Sequence, residues 1–71
     1  MAENSTWNQI QGNWKQISGK VREQFGRLTD DEVMQTNGQR DQLVGVIQER
    51  YGIAQEEASR QLDEWAGELK F

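Results

Sequence analysis

The chain has no cysteine, no histidine and no proline. Without cysteine there is no disulfide to brace a small fold, and no thiolate to hold a metal or attack a substrate. Without histidine the commonest general base and the commonest metal ligand are missing. Without proline or a compositional break, nothing marks a linker, and 71 residues make one domain at most. Long apolar runs are missing too. No stretch approaches the roughly 20 residues needed to cross a bilayer. The opening Met1-Ala2-Glu3-Asn4-Ser5-Thr6 has neither a positive region nor an apolar one, so it is not read as a signal peptide. The expectation is a cytoplasmic protein without a membrane partner. Positive charge is also short. The net charge of −4 argues against nucleic-acid binding, which needs cations to neutralise phosphates.

What is present is a repeat. Gly12-Asn13-Trp14-Lys15-Gln16-Ile17-Ser18-Gly19-Lys20-Val21-Arg22-Glu23-Gln24-Phe25-Gly26 aligns with the stretch from Gly38 to Gly52 at an offset of 26 residues. Gly, Gln, Gly, Glu and Gly coincide, and Ile17/Leu43, Val21/Ile47 and Phe25/Tyr51 keep their shape. The copies continue into Asp30-Asp31 and Glu56-Glu57. A period of this length marks one supersecondary unit used twice.

Along the chain, residues 1–5 are expected to form a flexible tail and residues 6–71 a single helical domain. Thr6 with Gln9 reads as a capping box. Apolar residues at 7, 10, 14, 17, 21, 25 and 28 alternate steps of three and four. The spacing predicts one helix from about Trp7 to Phe25, ended by Gly26 at positive φ. In Leu28-Thr29-Asp30-Asp31-Glu32-Val33, Thr29 caps and Glu32 reaches back. Leu28 and Val33 occupy the staple positions, and three acids face the positive end of the helix dipole. This second helix spans about Asp30 to Gln35 and closes on the turn Asn37-Gly38. The third runs from about Gln39 to Tyr51 and stops at Gly52. The fourth starts after Ile53, buries Ala58, Leu62, Trp65, Ala66 and Leu69, and frays near Lys70. Phe71 joins the candidate core. No stretch alternates with period two. The expected fold is all-α: a four-helix unit of two crossed αα-hairpins related by the repeat.

Few residues are candidates for chemistry. Asp30-Asp31-Glu32 lacks the alternating oxygen ligands and central glycine of a Ca²⁺ loop. Ser18 has Lys15 and Lys20 nearby but no oxyanion-hole signal. Neither an enzyme nor a cofactor is expected. Residues 12–28 carry Lys15, Lys20, Arg22 and Arg27 against the single acid Glu23. Their aromatic neighbours sit at core spacing, so these cations read as a solvated face paired with acids of the second and fourth helices.

Three glycines have no such local job. Gly12, Gly19 and Gly45 fall inside predicted helices, where each costs about 1 kcal/mol relative to Ala. They project away from the apolar stripes. One reading is a tolerated, exposed glycine that softens its helix. The other makes Gly12, Gly19 and Gly45 a candidate interaction surface, a bare backbone strip for a partner protein or a second copy of the chain.

The motif Gly12-Asn13-Trp14-Lys15-Gln16, Gly19-Lys20-Val21, Glu23 and Gly26-Arg27-Leu28-Thr29-Asp30-Asp31 resembles the CsbD-like family of small bacterial stress-response proteins. The second copy, Gly38 through Gly52, is similar to that family in almost every position. The resemblance covers roughly residues 12–66. It implies a bundle of two crossed helical hairpins and a role in general stress or stationary phase, with no catalytic or ligand residues to carry over. Val46 departs from the pattern, standing where relatives often keep Lys. The departure predicts a small apolar patch on the third helix that favours self-association. The functional expectation is therefore a non-enzymatic stress-response protein, monomeric or weakly self-associating, that acts as a helical interaction module. The alternative is a hydrophilic protectant, which fits seven glycines and a mean hydropathy of −0.98.

Overall fold

The computed structural model describes residues 2–69, with side-chain environments from Thr6 to Leu69. Lys70 and Phe71, expected to fray and to join the core, lie outside the described residues. Five helices are present among the described residues: α1 (Ala2–Gly12), α2 (Trp14–Gln24), α3 (Asp30–Gln35), α4 (Arg40–Tyr51) and α5 (Gln55–Glu68). The protein is all-α. α2 packs on α3, α4 packs on α5, and α1 lies against α2 and α5.

The expected first helix is divided. It begins at Ala2, so Thr6 lies inside it rather than at its N-cap. It breaks at Asn13, whose φ of −118° and ψ of 29° leave the helical region. Hydrogen bonds still reach Asn13 from both sides. The Asn13 N–H donates to the Gln9 carbonyl at 3.1 Å, and the Ile17 N–H donates to the Asn13 carbonyl at 3.0 Å. The Asn13 side-chain amide donates to the same Gln9 carbonyl at 3.0 Å, a second bond that holds Asn13 against the end of α1. The apolar stripe runs unbroken across Asn13, so sequence spacing alone does not reveal the joint. Burial of Trp7 and Ile10 against the rest of the fold accompanies it.

α3 forms as the local chemistry dictates. The Glu32 N–H donates to the Thr29 hydroxyl oxygen, and the Thr29 N–H donates to the Glu32 carboxylate at 3.1 Å. Both halves of the capping box are made. Leu28 and Val33, the staple pair, are buried. α4 ends as expected on Gly52 in the left-handed region, φ 63°. α2 does not end in that way. Gly26 is not among the positive-φ glycines. Phe25 ends the helix at φ −118° and ψ 76°, and its carbonyl accepts the Leu28 N–H at 3.0 Å. A turn thus replaces the left-handed glycine. Phe25 is held in the core edge-on to Tyr51 and Trp65, with centroid distances of 6.4 and 6.3 Å.

The core is one cluster. Ile10, Val21, Val33, Leu43, Ile47, Ala58 and Leu62 have no exposed surface, and Trp7, Trp14 and Trp65 are nearly as deep. The Trp14 indole N–H donates to the Val33 carbonyl at 3.2 Å, and the Thr36 hydroxyl donates to the same oxygen at 2.7 Å. The first bond ties α2 to α3, and the second closes the C-terminal end of α3 on the same oxygen. Val46 does not form the expected patch. It is half-buried and packs against the core cluster. The large apolar side chain that stands exposed among the described residues is Met34, on α3.

Ion pairs join the elements at the surface. Arg22 of α2 meets Asp30 of α3 at 2.8 Å, one of the pairings expected for the basic segment. Arg40 forks onto Asp63 at 2.8 and 2.7 Å, fixing the start of α4 to α5. Arg50, in the last turn of α4, pairs with Glu32 at the start of α3. Glu32 therefore serves a cap and an inter-helix bridge together. The hydrogen bond from Arg50, followed by that from the Thr29 N–H, holds its carboxyl below the usual Glu range. A carboxyl more acidic in the folded state binds fewer protons there than in the unfolded chain, so stability rises with pH. The contribution is complete above the ordinary Glu value and disappears as pH falls through the lowered one. Glu57 acts in the same direction through Gln61 and then Arg60. The Tm of the protein should fall on acidification from about pH 7 to about pH 3. The gap between wild type and Glu32→Gln should close over the same interval. Parallel Tm curves would show that this carboxylate does not couple to folding.

Candidate interaction surface

Gly12 ends α1, Gly19 lies in the middle of α2 and Gly45 in the first half of α4. Gly12 and Gly19 are exposed and Gly45 is half-buried. A Cβ built on any of the three meets no atom within 4 Å. No close approach within the fold requires these glycines. Gly19 sits in a shallow, open hollow with Gln16, Lys20, Arg22 and Glu23. Gly12 sits in a second one with Gln11, Asn13, Trp14, Lys15 and Gln16. Gly45 lines neither, so the three do not share one depression.

The free space above each backbone gives a direct test of the softening effect. Gly19→Ala, inside α2, should stabilise the protein by about 1 kcal/mol, and Gly12→Ala, at the end of α1, by less, both read from urea midpoints. A loss of stability would mean that these positions need the smaller residue inside the fold.

The glycine that does make a close approach is Gly38. It is buried, at φ 77°, and a Cβ there would stand 3.0 Å from the Gln11 Cα and 3.2 Å from the Trp14 ring. The sequence marks Asn37-Gly38 as a turn but carries no sign of what faces it. Asn37 shares the left-handed region at φ 55°. Tyr51 packs at the edge of the core cluster. It is half-buried, and its hydroxyl accepts the Arg27 N–H at 3.3 Å while the Arg27 guanidinium lies 5.6 Å above its ring. Arg27 is thereby drawn onto the fold instead of lying free on a basic face.

The hollows are open to solvent; the first sets Lys20 and Arg22 against Glu23, and the second carries Lys15 with no acid. Buried Ser18 donates to the Lys15 carbonyl at 3.1 Å, which makes it a helix-internal bond and not a nucleophile paired with a base. Among the described residues no group of three or more acidic side chains is placed to hold a metal ion. Among the described residues no helix is long and apolar enough to cross a membrane.

The family model described as CsbD-like matches residues 8–60, three quarters of the chain. The chain belongs to the CsbD-like family. Among curated proteins it is 57% identical over 37 residues to the UPF0337 protein YjbJ of Escherichia coli O6:H1, covering 52% of this chain and 54% of that one. It is 50% identical over 60 residues to a UPF0337 protein of Nitrosomonas europaea, covering 84% of this chain and 64% of the relative. A UPF0337 protein of Pectobacterium atrosepticum is 50% identical over 64 residues, or 90% of this chain and 93% of its own length. The chain thus spans little more than half to two thirds of the first two relatives and nearly all of the third. No solved structure matches.

Proposed function

We propose that this CsbD-like protein is a non-enzymatic interaction module of the bacterial stress response, binding a protein partner through the helix faces that carry Gly12, Gly19 and Gly45. The observation that carries the reading is the contrast between a closed core and bare backbone. The apolar stripes are spent inside the fold, and yet helix-weakening glycines stand over open space where nothing in the fold needs them. The non-enzymatic reading rests on the inventory of the chain, which has no histidine and no cysteine. The duplicated, crossed-hairpin architecture is part of the proposal. It is supported by helix limits that repeat the sequence offset: residues 14–24 of α2, moved on by 26, become 40–50, against Arg40–Tyr51 for α4.

A pull-down from stressed cells tests the surface, comparing wild type with a variant carrying Gly19→Lys and Gly45→Lys. The module reading expects specific partners to be lost from the variant. Recovery of the same proteins by both would remove these faces from consideration. A second reading, a protectant of other proteins under osmotic or desiccation stress, is favoured by one observation, the low mean hydropathy of −0.98. Circular dichroism separates the two. A module unfolds cooperatively from a helical baseline in dilute buffer, whereas a protectant that works unfolded is coil in solution and turns helical only on drying.

A further inference from the structure

We propose that the Gly12–Asn13 joint is a hinge through which two copies of this chain exchange α1, so that the partner fitted to the face beneath α1 is the same helix from a second copy. This proposal stands apart from the glycine-strip reading, and each can fail alone. Trp7, Ile10, Trp14, Ile17 and Val21 keep helical spacing across the joint, and all five are buried. The sequence is thus compatible with one straight helix over residues 2–24. At 1.5 Å per residue that helix would be about 34 Å long. The folded chain is only 29 Å in its longest dimension. A straight helix would carry Trp7 and Ile10 out of their own core and uncover the part of α5 on which α1 lies. Both exposed surfaces are covered again, contact for contact, when two such molecules exchange α1.

The cost of moving between the forms is concentrated at one residue. Asn13 alone leaves the helical region between α1 and α2, and its own N–H and carbonyl already make bonds of helical register, to Gln9 on one side and from Ile17 on the other. Straightening lets the first N–H groups of α2 pair with the last carbonyls of α1, groups that two separate helix ends leave open. No proline stands in the way. Because the exchanged contacts are the same, the balance is set by the joint and by protein concentration, the conditions under which exchange of an element is a low-cost route to a dimer.

Asn13→Ala and Asn13→Gly test this, each refolded from urea at high protein concentration and examined by sedimentation. Ala favours the straight form at two joints per dimer, and it loses the side-chain bond to Gln9 that holds the bent one. Asn13→Ala should tighten dimerisation about tenfold, and Asn13→Gly should weaken it. Dimers formed from mixed ¹³C-labelled and unlabelled chains should show intermolecular NOEs from Trp7 or Ile10 to side chains of α5. Helical circular dichroism confirms that both variants fold. Two monomeric variants, or a dimer whose α1–α5 NOEs are all intramolecular, would overturn the proposal.

Discussion

Trp14→Ala is expected to cost about 3–5 kcal/mol, the usual range for removing a large buried aromatic. A domain of this size has a comparable total stability, since one small core supplies only about 3–5 kcal/mol. The variant should therefore be largely unfolded at 25 °C, read as a loss of the helical circular dichroism signal that wild type retains. Three separate contributions meet at this side chain. Its ring fills the space between α2 and the Asn37-Gly38 turn, with buried Gly38 close enough that an added methyl would touch it. Its burial is 93%, so nearly all its apolar surface is withdrawn from water. Its indole N–H binds the Val33 carbonyl. Trp14→Phe separates the last from the others and should cost less, with about 1 kcal/mol from the missing hydrogen bond. That loss is moderated because the Val33 oxygen keeps the Thr36 hydroxyl. Equal effects of Phe and Ala would mean that the hydrogen bond, and not the packing, dominates at this site.

The contrast between Trp14 and its surroundings shows which features a sequence carries. The burial of Trp14, Ile47 and Leu62 was legible because helical periodicity needs only local spacing and one apolar face. The cap of α3 was legible for the same reason. Thr29 and Glu32 reach each other within one turn, whatever the rest of the chain does. Features that depend on a distant partner were not legible. The break at Asn13 interrupts no pattern, because α1 continues the stripe of α2 and its contact with α5 lies more than forty residues away. Gly26 and Gly52 occupy equivalent repeat positions, yet only Gly52 takes the left-handed conformation. The difference lies in Phe25, whose contacts with Tyr51 and Trp65 fix the chain before Gly26 is reached. Val46 stands where relatives often keep Lys, which points to the surface, but the packing of α4 half-buries it against the core cluster. Of the candidate surface, the sequence gives three glycines away from the apolar stripe. The structure adds that they sit over open space and that a fourth, Gly38, does not.

Gly38 therefore supplies the second large effect. Gly38→Ala should cost clearly more than Gly52→Ala, although both glycines have positive φ, 77° and 63°. Gly52 has open space where its Cβ would go, so alanine there pays only the left-handed backbone cost of about 1–2 kcal/mol. Gly38 adds a contact. Its Cβ would lie 3.0 Å from the Gln11 Cα, a backbone atom near the end of α1 that cannot swing aside as a side chain would. Relief requires the turn and α1 to separate, and overpacking of this kind costs about 1–3 kcal/mol further. The total for Gly38→Ala is about 2–5 kcal/mol, and the excess over Gly52→Ala measures the close approach itself. Urea denaturation of the two variants gives both numbers. If they are equally destabilised, the turn is able to yield, and the tight seat of Gly38 against Gln11 and Trp14 is not what holds α1 beside the turn. If the excess appears, it should shrink in a Trp14→Phe background, where the smaller ring gives room on one side while Gln11 still blocks the other.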